Sequence, residues 1–346
     1  MRPWIFALTL LAAVSNAGVS FTPLVSYSSA SGFIFGGLLG IAGTGEGSGA
    51  LTALAALTTG GGQTAEIRAA RPVQGSGWRV DILSERLVNR RFTGWGNGGD
   101  PDSFLQYDRE QQRLAVSRQQ YLSRAFSFEI GAELLHSTLY GREQGAFWEG
   151  SPSSVYGSTW SAGPFARLTM ASYLPFSRAS HTDLTAGLQS GSRVSYGSAS
   201  LSTSAYLPLP AGLTAAFRSW ISCSWDLDRT PFTMLPCLGP EQILRGYDSR
   251  RFYGPWRCVC NAELRRHLLS ALPDRETGTP RAMLSGVLFA DAGQVAEQPD
   301  GFRWDRMHAD AGLGLRLLSK GAVLAADFAL LSLEGLKMAL GFGESF

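Results

Sequence analysis

Between His308 and Leu318 the chain alternates without a break. Ala309, Ala311, Leu313, Leu315 and Leu317 fall on one side of an extended strand, and His308, Asp310, Gly312, Gly314 and Arg316 on the other. Successive side chains of a strand point to opposite faces, so this segment has one wholly apolar face and one polar or small face. The last segment repeats the pattern, Leu336, Met338, Leu340 and Phe342 alternating with Lys337, Ala339, Gly341 and Gly343. Such a sheet suits a membrane barrel, with lipid outside and a wet or plugged lumen inside. A soluble sandwich would turn its apolar face inward and carry more Lys and Glu outside. Charged residues make up only 17% of the 346, against about 25% in soluble domains. Mean hydropathy is +0.00, and after Ala17 no apolar run approaches the roughly 20 residues of a membrane helix. The net charge of +2 points to neither nucleic acid nor an acidic partner.

Residues 1–17 read as a secretory signal peptide: Arg2 supplies the positive start, Ile5 to Val14 the short apolar core, and Ser15-Asn16-Ala17 the cleavage site. Over residues 18–346, alternation and turn residues predict an all-β chain, a transmembrane antiparallel β-barrel of about 16 strands. The longer inserts (Arg90–Arg109, Gly141–Ser158, Asp226–Pro255 and Gly293–Asp305) follow odd-numbered strands. That is the asymmetry of outer-membrane barrels, which have short periplasmic turns and long outer loops. Leu269–Arg281 breaks the pattern, being long on the periplasmic side. With about 20 residues for each strand and its connection, none is left for a second domain, and the expected location is the bacterial outer membrane.

The insert from Asp226 to Pro255 is too long for a plain turn, and loops of that length are functional or disordered. This one carries Phe232, Leu235, Ile243, Leu244, Tyr247, Phe252 and Tyr253, so it has to fold back onto something. It also holds Arg245 beside Gly246, and the strands beyond it carry Glu263 and Asp291. Glu263 shares a face with Asn261, Arg265 and His267, and Asp291 lies opposite Leu284, Leu288 and Ala290. Both carboxylates are therefore expected on the lumen face. A guanidinium binds a carboxylate with two parallel bonds, which an ammonium cannot do.

Five short motifs, in order, resemble the barrel of the BamA/TamA outer-membrane assembly family, also called the bacterial surface antigen family. Tyr27-Ser28-Ser29-Ala30-Ser31-Gly32 resembles its opening strand and turn, and Phe92-Thr93-Gly94-Trp95-Gly96-Asn97 its aromatic-Gly-x-Gly-Asn loop. Leu244-Arg245-Gly246-Tyr247 matches the Arg-Gly-aromatic motif of the sixth outer loop. Asn261-Ala262-Glu263-Leu264-Arg265 resembles the strand that follows, and Phe289-Ala290-Asp291-Ala292-Gly293 matches the Phe-x-Asp-x-Gly strand. The resemblance implies that the sixth outer loop folds into the lumen, anchored by Arg245, Gly246 and Tyr247 with Arg245 on Asp291 and Glu263 nearby. It also implies a seam between first and last strands that opens sideways. Family members that assemble or secrete proteins carry POTRA domains before the barrel. Only a few residues separate Ala17 from the first strand here, so the resemblance is to a POTRA-less member.

Other features carry narrower expectations. Cys223 ends the strand entering the long loop, and Cys258 and Cys260 begin the strand leaving it. By alternation all three point outward at the extracellular end. Facing Cα atoms of neighbouring antiparallel strands lie about 4.5–5.5 Å apart, within disulfide range, so Cys223 is expected to pair with Cys258 or Cys260. Cys258-Val259-Cys260 lacks a histidine spaced to complete a metal site. The C-terminal Phe346, with Phe342 four positions before it, looks like the terminal signal read by the barrel assembly machinery. No serine has a nucleophile-elbow context, and the glycine-rich 43–49 run reads as a turn rather than a phosphate loop. No catalytic, cofactor or metal site is expected. The expected partners are outer-membrane lipid, the assembly machinery for the chain's own insertion, and a protein or lipid client, with no nucleic acid. The function expected is non-enzymatic assistance to insertion or translocation. A passive or ligand-selective pore is the alternative, and an outer-membrane lipase, suggested by His181 and Asp183 on one face, comes behind it.

Overall fold

The computed structural model describes residues 18–28, 32–43, 49–73, 75–98, 104–141, 157–174, 178–226, 230–239, 244–248, 250–270, 282–319 and 322–342. The expected signal peptide and Phe346 lie outside them. Sixteen antiparallel strands follow one another round a ring. They are β1 (Val19–Ser28), β2 (Gly32–Ala42), β3 (Ala50–Thr58), β4 (Gln63–Val73), β5 (Ser76–Phe92), β6 (Leu105–Tyr121), β7 (Phe126–Gly141) and β8 (Gly157–Leu174). After them come β9 (Arg178–Gly191), β10 (Val194–Leu209) and β11 (Leu213–Trp225). Two short strands inside the long loop, β12 (Cys237–Leu238) and β13 (Phe252–Tyr253), form a separate hairpin. The ring resumes with β14 (Trp256–Ser270), β15 (Ala282–Ala296), β16 (His308–Ser319), β17 (Ala322–Leu331) and β18 (Lys337–Phe342). β11 pairs directly with β14, so the loop leaves the wall and returns to it without a gap in the sheet. Phe342 sits in β18 opposite Leu324.

Register keeps each face consistent round the ring. Leu313 of β16 stands opposite Leu288 of β15 and Phe328 of β17, and all three are exposed. Their neighbours Phe289, Asp291, Asp310, Arg316 and Asp327 are buried on the other face. A sheet exposing its apolar face and covering its polar face is inverted relative to a soluble sandwich, and matches a lipid-facing barrel. β1 and β18 meet at the seam that closes the ring. Among the described residues β1 and β18 are registered at Tyr27 with Leu340, and β1 and β2 pair from Val19–Ile41 to Ser28–Gly32.

Two expectations are corrected by the register. The insert expected over Arg90–Arg109 shrinks to 93–104, because β5 and β6 continue past the apolar band and Arg90 pairs with Tyr107. Arginines there read as loop residues, but strands above the membrane carry charge without penalty. The expected disulfide is absent, since Cys223, Cys258 and Cys260 are all free, as is Cys237. Cys223 faces Trp256, while Cys258 faces Ile221 and Cys260 faces Ser219. Cys223 and Cys258 are thus diagonal neighbours at about 7–8 Å, beyond the usual disulfide span of about 4.4–6.8 Å.

Outward and inward positions should respond differently to charge. Leu313→Arg, at mid-strand on the exposed face, is expected to cost about 2–4 kcal/mol in a bilayer. Ser202→Arg on the inner face of β10 should cost under about 1 kcal/mol. Urea unfolding from liposomes measures both, and equal penalties would contradict this assignment of faces.

Candidate functional site at the loop anchor

The long loop rests on two opposite walls through apolar side chains. Phe232, Leu235 and Tyr253 pack with Phe92 of β5, Tyr107 of β6 and Leu139 of β7. Rings meet closely there, tilted for Phe92–Phe232 with centroids 4.7 Å apart and edge to face for Tyr107–Phe232 at 5.2 Å. The Tyr107 and Tyr253 hydroxyls share a hydrogen bond of 3.0 Å. Burial, then the neighbouring Tyr107, holds the Tyr253 hydroxyl well above the usual tyrosine range, so it stays protonated and able to donate. On the other side Leu238, Leu244, Tyr247 and Phe252 pack on Val259 of β14 and Val295 of β15.

Between these clusters the loop presents Arg245, which is 5% exposed. Its Nε and Nη2 donate to the two carboxylate oxygens of Asp291, both at 2.7 Å, and its Nη1 donates to Glu263 Oε1 at 2.6 Å. The guanidinium also lies over the Phe289 ring, 3.6 Å from its centroid, the stacked geometry that favours arginine over lysine. Phe289 and Asp291 are two apart on β15 and so share a face, one supplying a platform and the other an anion. Burial alone would lower the Arg245 pKa, but Asp291, Glu263 and Asp327 outweigh it and hold the group above the usual arginine range. Gly246 donates its N–H to Asp310 Oδ2 at 3.0 Å. A Cβ at that position would lie 2.6 Å from Ser332 Cβ and 2.7 Å from Asp310 Cβ, so any side chain would lift the loop off its seat. The Tyr247 hydroxyl donates to the Ala309 carbonyl at 3.2 Å.

The structure therefore brings together all five expected anchor residues, Arg245, Gly246, Tyr247, Glu263 and Asp291, and adds others. Arg316 donates to Asp327 at 2.7 Å and to Glu263 at 3.2 Å, and Arg265 donates to Glu263 at 2.8 Å. Arg218 donates to Asn261 Oδ1, and the Asn261 amide donates on to Asp291 at 2.8 Å. The loop is also fastened to the turn before the last strand. Glu334 accepts from Arg251 Nε at 2.6 Å and from the Asp248 N–H at 2.9 Å, and Lys337 pairs with Asp248 at 2.7 Å. The 92–97 motif holds the loop from above: Thr93 donates to the Arg251 carbonyl, Gly96 N–H to the Tyr253 carbonyl, and Asn97 makes two bonds to the Val295 backbone. Asp310 and Arg316 were legible as polar positions in an alternating strand. Nothing in the short turn around Glu334 announced its role.

His181 and Asp183 do meet, 2.6 Å apart, and Asp183 accepts from Thr169. This is a threonine–carboxylate–imidazole chain without the order of a triad, in which the histidine stands between acid and nucleophile. Among the described residues no cluster of His, Cys, Asp and Glu has metal-binding geometry.

No family model matches the sequence, and no curated protein matches it. Solved structures do. The chain superposes on BamA from Haemophilus ducreyi lacking POTRA domains 1–3 with a TM-score of 0.67 and 15% identity, over 94% of this chain and 70% of that one. The chain folds as a BamA/CdiB-type barrel. CdiB from Escherichia coli gives a TM-score of 0.68 at 13% identity, over 95% of this chain, and CdiB from Acinetobacter baumannii 0.62 at 14%, over 94%. The chain spans only 63% and 60% of the two CdiB chains. At such identities the likeness is one of fold, and function has to be argued from the site.

Coupling between Arg245 and Asp291 is the measurable property of this site. Arg245→Ala strands buried carboxylates and is expected to cost about 3–5 kcal/mol, with Asp291→Asn similar in direction and Arg245→Lys a partial rescue. In the double mutant Arg245→Ala/Asp291→Ala the losses should fall short of additivity by about 0.5–3 kcal/mol. Unfolding in bilayers and heat resistance on gels measure this, and additive losses would refute the contact.

Proposed function

We propose that this chain is an outer-membrane barrel without enzymatic activity that assists insertion or translocation of a protein or lipid client. The loop from 226 to 255 is its lumen plug and Arg245 the anchor. The observation that carries this reading is the fastening of one loop to two opposite walls and to the hairpin beside the seam. The apolar clusters, the Arg245 centre and the Glu334–Lys337 ties all hold the same segment. The seam next to it is registered, among the described residues, at Tyr27 with Leu340. A plugged lumen suppresses passive flow, and opening of the seam between the first and last strands would give a client a lateral route between lumen and bilayer. The BamA and CdiB likeness supports this reading at the level of fold.

The pore alternative has its own observation. Inner-face Thr185 of β9 and Ser200 and Ser202 of β10 are only half-buried, a hydroxyl-lined stretch of wall that the described part of the loop does not bury.

Two measurements separate these readings. In planar bilayers the plugged barrel should show rare flickering openings, and Arg245→Ala should raise the time-averaged conductance at least about tenfold. A large steady conductance in the unaltered chain would favour the pore. For insertion, liposomes containing the barrel should speed the folding of a urea-denatured outer-membrane barrel. In a chain with its four cysteines changed to serine, Tyr27→Cys/Leu340→Cys should lock the seam under oxidation, abolish that gain, and release it on reduction. An unchanged folding rate with the barrel present would remove protein insertion from the proposal.

A further inference from the structure

Among the described residues, the buried arginines fall into two kinds. Arg109, Arg245, Arg251 and Arg316 each pair with a carboxylate, on Glu85, Asp291, Glu334 and Asp327 in turn. Arg90 and Arg257 pair with none. Arg257, near the outer end of β14, is 5% exposed. Its Nη1 donates to the Cys237 carbonyl of the loop at 3.0 Å, and its guanidinium lies over the Trp220 ring, 3.8 Å from the centroid. Its Nε is buried without a hydrogen-bond partner, as are Trp220 Nε1 and Ser222 Oγ. These donors are neighbours. Ser222 stands directly opposite Arg257 across the β11–β14 ladder, and Trp220 lies two residues before Ser222 on the same inner face. Along the same rung Ser200 of β10 faces Ser222, and Thr185 of β9 faces Ser200. Both are half-buried, so the rung is reached from the lumen on that side. On the adjoining row the acid Asp183 is two strands away from Trp220 and is held by His181 and Thr169. The charges of Arg218 and Arg250 add to the positive field at Arg257.

A buried charge is ordinarily paired, and a buried donor ordinarily has an acceptor. We infer that Arg257, Trp220 and Ser222 form a binding site for a phosphate-type oxyanion on the lumen wall. Three observations select that ligand. The orphaned atoms are a guanidinium N–H, an indole N–H and a hydroxyl, so what satisfies them is rich in acceptors. The cation among them has no acid, and other cations surround it, so the acceptor is negatively charged. Stacking on Trp220 fixes the plane of the guanidinium, and its fork of N–H groups fits two oxygens of one phosphate. A water molecule would serve one or two of the donors but would bring no charge to set against Arg257. Arg90, the other buried arginine without a carboxylate, has no such set of orphaned donors on the facing strand. The site is separate from the Arg245 centre, and it does not depend on whether the barrel inserts clients or conducts.

The test uses the full barrel in maltoside micelles, which carry no phosphate. Calorimetric titration with inorganic phosphate should show saturable binding, and chloride at equal ionic strength should show none. Arg257→Gln should weaken phosphate binding at least about tenfold, the loss expected for a hydrogen bond to a charged group. Arg257→Lys should recover part of it, since an ammonium keeps the charge and loses the fork. Should Arg257→Gln fail to fold, Ser222→Ala removes a single hydroxyl and should still weaken binding about fivefold. Arg90→Gln should leave the affinity unchanged. Phosphatidic acid added to the micelles separates two sources of the same chemistry. Displacement of inorganic phosphate by it would assign the oxyanion to a lipid headgroup, and binding of inorganic phosphate alone would assign it to a free anion. Either keeps the site. Binding of neither would overturn the inference and leave the three donors to water. Equal binding of chloride, or an equal loss in Arg90→Gln, would trace the effect to the general positive field of the lumen, an adventitious ion only, and would overturn it as well.

Discussion

One guanidinium decides how the barrel is arranged. Arg245 reaches Asp291 and Glu263 with three of its nitrogens and lies on Phe289. Without it, Asp291 would lose its two-pronged cation and keep the Asn261 amide, while Glu263 would keep Arg265 and Arg316. A buried salt bridge is weak evidence for stability, because desolvation offsets most of the Coulomb gain. The seven buried apolar residues of the loop (Phe232, Leu235, Leu238, Leu244, Tyr247, Phe252 and Tyr253) each contribute about 1.5–3 kcal/mol and together outweigh it. Apolar burial thus makes the loop adhere, and the arginine determines where. A shifted loop would keep much of its apolar contact but leave charges unpaired, so the electrostatic centre supplies register and the clusters supply affinity.

The same loop ties together parts of the wall that share no strand pairing. Phe92 and Tyr107 belong to the first half of the ring, and Val259 and Val295 to the second. Glu334 and Lys337 lie at the outer end of the strand pair next to the seam. Local strand pairing holds each strand to its two neighbours, whereas the loop touches strands far apart round the ring. Its ties to Glu334 and Lys337 brace the wall beside the place where β1 and β18 meet.

Much of the wall was legible in the sequence because period two is a local signal. His308–Leu318 shows its two faces in eleven residues, and the structure keeps that phase from β15 through β17. The anchor was legible through Arg245, Glu263 and Asp291, where charge stands at positions that apolar neighbours force inward. What escaped depended on contacts distant along the chain. Glu334 lies 83 residues from Arg251, and no local pattern predicts their meeting. The cysteine pairing failed for a related reason. Alternation gives the face of Cys223 and Cys258, but only the register, with Trp256 opposite Cys223, tells whether they are direct or diagonal neighbours. Strand ends were missed at Arg90 and Arg109, where the ladder outruns the membrane and polarity no longer marks a loop.

Asp291 and Asp310 are direct cross-strand partners on the inner wall, and like charges directly opposite repel. In the finished barrel Arg245 and the Gly246 N–H stand against them. Loop and acids belong to one finished chain, so Arg245 and Gly246 are available when β15 and β16 come together. A nascent wall that zips without its loop meets an electrostatic obstacle at this rung, and one that zips around the loop does not. The paired aspartates thus favour a wall that closes around its loop over one that closes without it.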